Sequence, residues 1–86
     1  MQDHIVVVII AQDRHAMLWE QQNSDRIKSF QRGTRTGQFK SGEKFKVVVE
    51  RPDFQQNLIG LKIARFEGME NVLYAMRPTL QAMIRP

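Results

Sequence analysis

The sequence predicts a small α+β fold: a mainly antiparallel sheet of three to five strands with a C-terminal helix, kinked near Pro78, packed on one face. Three stretches carry that expectation. Ile5 to Ala11 is an unbroken apolar run, Lys44 to Glu50 sets Phe45, Val47 and Val49 on one side against Lys44, Lys46 and Glu50 on the other, and Met69 to Ile84 repeats apolar residues at helical spacing.

The run from Ile5 to Ala11 is mostly β-branched, and such side chains are stiff at χ1 and suit a pleated strand. It does not alternate, so both of its faces must be covered, which predicts a central strand. Asp13 ends the run and is placed to cap a helix over 14–24, where good helix formers follow. A hairpin back onto the first strand through Gln12-Asp13 is the alternative. Residues 25–32 fit a strand with Arg26, Lys28, Phe30 and Arg32 on one face, or a helix that pairs Ile27 with Phe30. Gly33 to Gly37 is expected as a loop.

Residues 44–51 give the clearest strand. Phe45, Val47 and Val49 point one way, Lys44, Lys46 and Glu50 the other, and Pro52-Asp53 ends it. Residues 58–66 are expected as the next strand, with Ile59, Leu61 and Ile63 on one face. The short link from Asp53 to Asn57 predicts that the two pair antiparallel. Over 69–84, Met69, Val72, Leu73, Met76, Leu80, Met83 and Ile84 fall at helical spacing, and Glu67 and Glu70 sit where a helix dipole favours negative charge. Pro78 lacks the amide that would bond the Tyr74 carbonyl, so a kink or a fresh helix start is expected there. One helix cannot cover both faces of the first strand. Segment 14–24, a sheet curled into a partial barrel, or a second subunit must cover the other.

The 86 residues are expected to form one domain, 1–86, with a core small enough that self-association would help it. There is no cysteine, which removes disulfides, thiolate metal sites and cysteine nucleophiles, and fits a reducing cytoplasm. The longest apolar run falls far short of the ~20 residues a membrane-spanning helix needs. Asp3 stands where a secretory signal would want a basic residue, so neither a membrane partner nor a leader is expected.

Charge supplies the main functional expectation. The net charge is +4, but the stretch from Arg26 to Lys46 holds seven basic residues against Glu43 alone, while the rest of the chain holds six basic and eight acidic ones. A localised positive field predicts an anionic partner. For DNA or RNA, Arg26, Lys28, Arg32, Arg35, Lys40, Lys44 and Lys46 would contact phosphates, with Phe30 and Phe39 available for base stacking. No segment reads as a major-groove recognition helix, so sequence discrimination should be low. The competing account is a solvated face over a core that holds Phe30, Phe39 and Phe45.

A second class of function is a protein-interaction module: a small regulator, inhibitor or assembly subunit that docks on an acidic protein surface or forms a homodimer. Met69, Met76 and Met83 recur every seven residues as an adaptable interface stripe, and Trp19 could anchor an interface. The plainer account packs that stripe on the protein's own sheet. No catalytic residue, cofactor or metal is expected. The glycines of Gly37 to Gly42 have phosphate-loop spacing, but Glu43 stands where the lysine belongs, and a strand follows instead of a helix. His4 and His15, even beside Asp3 and Asp13, lack zinc-like spacing. Asp13, His15 and Glu20 come without a nucleophile signature, which leaves a small basic nuclease as the least supported reading.

Overall fold

A computed structural model describes residues 4–84. In chain order it has β1 (Ile5–Ile10), α1 (His15–Gln22), β2 (Ile27–Gln31), β3 (Thr36–Phe39), β4 (Lys44–Val49), β5 (Ile63–Glu67) and α2 (Arg77–Gln81). Tight 3₁₀ turns occupy Phe54–Leu58, Met69–Asn71 and Tyr74–Met76. The five strands make one open sheet in the order β2-β3-β4-β1-β5. The meander β2–β3–β4 is antiparallel, and β1 runs parallel to both of its neighbours. The protein is therefore an α+β domain of the expected class, with its most apolar strand inside the sheet.

Burial explains why β1 takes that place. Val6 to Ile10 are each at most 4% exposed, and burying a side chain of this size stabilises by about 1.5–3 kcal/mol. On one face Val6, Val8 and Ile10 pack with Phe39, Phe45 and Val47, and α1 lays Ala16 and Trp19 over them. On the other, Val7 and Ile9 pack with Val48, Ile63, Phe54, Leu58, Val72 and Leu80. Segment 14–24 thus covers one face and the turns after β4 and β5 cover the other, so no barrel closure is needed.

Asp13 does not cap α1. Arg14 holds the cap position without a side-chain bond, and the Asp13 carboxylate instead meets Arg35 at 2.5 Å and Arg51 at 2.8 Å. At the other end of α1, Asn23 Nδ2 donates to the Trp19 carbonyl at 2.8 Å. Residues 27–31 are a strand, and the loop before β3 is shorter than expected, because Thr36 and Gly37 already pair with Gln31 and Phe30. Gly37 is required in the sheet. A Cβ there would stand 2.3 Å from the Ser29 carbonyl oxygen and 2.6 Å from Phe45 Cζ, so the Phe45 ring lies where a side chain would be.

Two further expectations fail for identifiable reasons. β4 and β5 are not an antiparallel pair, because the link between them coils into a 3₁₀ turn whose Phe54 and Leu58 bury on the sheet. The chain crosses that face and returns on the far side of β1, parallel to it. Ile59 consequently lies outside any strand, 74% exposed, before a left-handed Gly60. The helix over 69–84 is also shorter than its apolar spacing suggests. Gly68 is left-handed at φ 82°, Val72 and Leu73 are extended, and α2 starts afresh with Pro78 in its first turn. An i, i+3 apolar repeat suits a 3₁₀ turn as well as an α-helix, which is why the pattern misleads here.

Candidate anion-binding face

The seven cations between Arg26 and Lys46 divide by residue type. All three arginines are engaged. Arg26 grips Glu67 through both terminal guanidinium nitrogens, donates from Nε to Asn23 Oδ1 at 2.8 Å, and lies 4.5 Å over the Phe39 ring. Arg32 pairs with Glu20 at 2.9 Å, and Arg35 pairs with Asp13. Arg35 also takes a left-handed φ of 56°, a conformation that costs a non-glycine residue about 1–2 kcal/mol. Its carbonyl accepts from Val47 N at 2.8 Å, and its side chain is held by Asp13. By contrast, Lys28, Lys40, Lys44 and Lys46 have no carboxylate within 4.0 Å among the described residues.

The paired arginines belong to a structural network. Glu43 binds Arg65, Arg65 binds Glu67 at 3.1 Å, and Glu67 binds Arg26. The Arg26 guanidinium beside Glu67, with Arg65 adding to it, holds that carboxyl below the usual glutamate range against the opposing effect of burial. Arg65 does the same to Glu43, and the Arg35 hydrogen bond, with Arg51, lowers Asp13.

Phe30 and Phe39 are not free to stack on bases. Phe39 is 2% exposed and stacks on Phe45 at 4.5 Å, while half-buried Phe30 meets Trp19 edge-on at 6.2 Å and Phe45 at 5.5 Å. Trp19 completes this aromatic core, 5.2 Å from Phe45. Met69, Met76 and Met83 are half-buried against Val7, Ile9 and their neighbours, as core packing requires.

What remains open is the reverse face of the meander. Alternation along β4 puts Phe45 and Val47 under α1 and turns Lys44 and Lys46 to the opposite side. Strand register then builds two rows: Gln31, Thr36 and Lys46 lie side by side across β2, β3 and β4, and so do Ser29, Gln38 and Lys44. These six residues line a single shallow groove that ends on Ile5 and Leu61, and no carboxylate lines it. Gln38 Nε2 donates to the Gly42 carbonyl at 3.1 Å, which fixes the amide. Two residue rises separate the lysines, about 6.7 Å along β4.

The seven cations do not form one patch. Lys44 and Lys46 share the groove, Lys28 sits at the bulge of edge strand β2, and Lys40 is exposed in the β3–β4 turn. An edge lysine at a bulge also guards a sheet against pairing with another chain. Sequence reasoning missed Ser29, Gln31, Thr36 and Gln38. Their period-two spacing was a visible signal, but it needed β2 and β3 to be read as a hairpin.

Among the described residues no three His, Cys, Asp or Glu side chains gather as metal donors; Asp3 lies outside those residues. No helix among them is long and apolar enough to cross a membrane. Comparison of the chain with protein-family models, curated proteins and solved structures gives no match.

Proposed function

We propose that this protein binds single-stranded nucleic acid, weakly and with little sequence preference, on the uncovered face of β2–β3–β4. One observation carries the reading: the uncovered half of the sheet displays two unpaired lysines beside amides and hydroxyls, with no carboxylate among them. Lys44 and Lys46 take phosphates, with Lys28 and Lys40 adding charge at the margins. Ser29, Gln31, Thr36 and Gln38 offer hydrogen bonds to sugars and base edges. An extended strand suits a shallow groove on a sheet better than a duplex does. α1 carries no Lys or Arg with which to enter a major groove. Without an exposed ring on this face, binding depends mainly on charge, so four engaged lysines should give a log–log salt slope of roughly −3 for single strands.

Fluorescence anisotropy with labelled single-stranded and duplex 20-mers, across salt, tests the reading. Tighter single-strand binding with a steep salt slope is expected, and Lys44→Glu/Lys46→Glu should weaken it at least tenfold. Absence of binding at low salt, or binding indifferent to that double substitution, overturns it.

A protein-interaction module is the second reading, favoured by Leu73 and Tyr74, 67% and 82% exposed on the turn before α2. Light scattering together with a pull-down decides it: a dimer or partner lost in Leu73→Ser/Tyr74→Ser supports it, and a lone monomer does not.

A further inference from the structure

β1 and β5 are adjacent parallel strands whose chains leave the sheet in opposite directions. After Ile10 the chain goes to α1 on one face, and after Glu67 it goes to the 69–71 turn, which packs on the other. Such a divergence opens a crevice beyond the carboxyl ends of the strands, the place where open sheets of parallel strands receive ligands. Here the crevice exists, with a volume of about 360 Å³, within the range of small-molecule sites.

Its walls are fixed. A Cβ on Gly68 would stand 2.1 Å from the Ile9 carbonyl oxygen, and Asn71 Nδ2 donates to that same oxygen at 2.9 Å, so the turn is pinned to the end of β1. Across the gap, α1 presents Leu18, Trp19 and Gln22. The electrostatics oppose those of the chain as a whole. Arg26 lines the crevice but is spent on Glu67 and Asn23, whereas Glu70 has no cation within 4.0 Å among the described residues. The charge left over is negative, and it sits opposite a wall that sets Leu18 and Trp19 between His15 and Gln22.

We propose that this crevice binds a small organic cation, its ammonium or guanidinium head on Glu70 and the Asn71 and Gln22 amides, the methylenes next to that head against Leu18 and Trp19, and any second charge in solvent. The site is separate from the lysine groove, which lies on the reverse face of the meander, and does not depend on nucleic-acid binding.

Trp19 is the single tryptophan, so its emission reports on the site. The intact protein is titrated with agmatine, and in parallel with glutarate and with potassium at equal ionic strength, by fluorescence and by calorimetry so that a silent indole is not mistaken for no binding. Agmatine should bind saturably, glutarate and potassium should not. Glu70→Gln should weaken agmatine at least tenfold, and Lys44→Glu/Lys46→Glu should leave it unchanged. No saturable heat or emission change with agmatine, equal binding by glutarate or potassium, or an unaltered Glu70→Gln variant overturns the proposal.

Discussion

The two faces of the β2–β3–β4 meander are built from the same strands, yet they have opposite fates. Under α1, Phe39, Phe45 and Val47 are at most 2% exposed and join Trp19 and Phe30 in an aromatic core. One residue out of step, Gln38, Lys44 and Lys46 line an open polar groove. The cations divide the same way. Arginines, whose planar forks hold carboxylates bidentately, serve the framework, while lysines are left to the solvent. Charge on this protein is therefore better judged by its pairing than by its total.

The comparison breaks most completely on the covered face. Phe45→Ala removes the ring on which Phe39, Phe30, Trp19 and Gly37 all rely, and should cost about 3–5 kcal/mol. Against a total of ~5–15 kcal/mol for a typical domain, that should show in urea denaturation as a large drop in midpoint, or as loss of the cooperative transition. Gly37→Val forces a side chain into the same ring and should cost about 1–3 kcal/mol by the same measurement.

The arginine network should give a smaller, pH-dependent effect. Glu67 and Glu43 have folded-state pKa values held below the unfolded ones, so their contribution is fully present above the unfolded value, near 4.3. It is lost as pH falls through the depressed folded values. Glu67→Gln should remove about 1 kcal/mol at neutral pH and flatten the stability profile below pH ~4.5, since the pairs are half-exposed and partly screened. Thermal unfolding between pH 2 and 7 checks both. Smallest of all, Lys44→Glu/Lys46→Glu should shift stability by no more than about 0.5 kcal/mol while it weakens the proposed nucleic-acid binding at least tenfold, which would separate the groove from the core behind it.

Much of this framework was legible in the sequence. The continuous run of β1 and the alternation of β4 each admit one structural meaning, and both stand as expected. The failures came where one pattern has two meanings, as in the period-three apolar spacing after Gly68 and the link that coils at Phe54 instead of turning back. The basic stretch was equally visible, but its neutralisation was not. Arg26 meets Glu67 and Arg35 meets Asp13 only once the chain has folded, and local sequence carries no sign of those partners. Phe30 and Phe39, read beside cations, proved to be held by Trp19, whose approach likewise depends on tertiary packing.

The place of β1 bears on how the protein is made. Of the five strands it is made first, and its partners begin only at Lys44 and Ile63. At ~5–20 residues per second, a sticky stretch of valine and isoleucine waits several seconds for the segments that will shield it. Such distant pairing slows folding, so the newborn chain should depend on chaperones more than its length suggests.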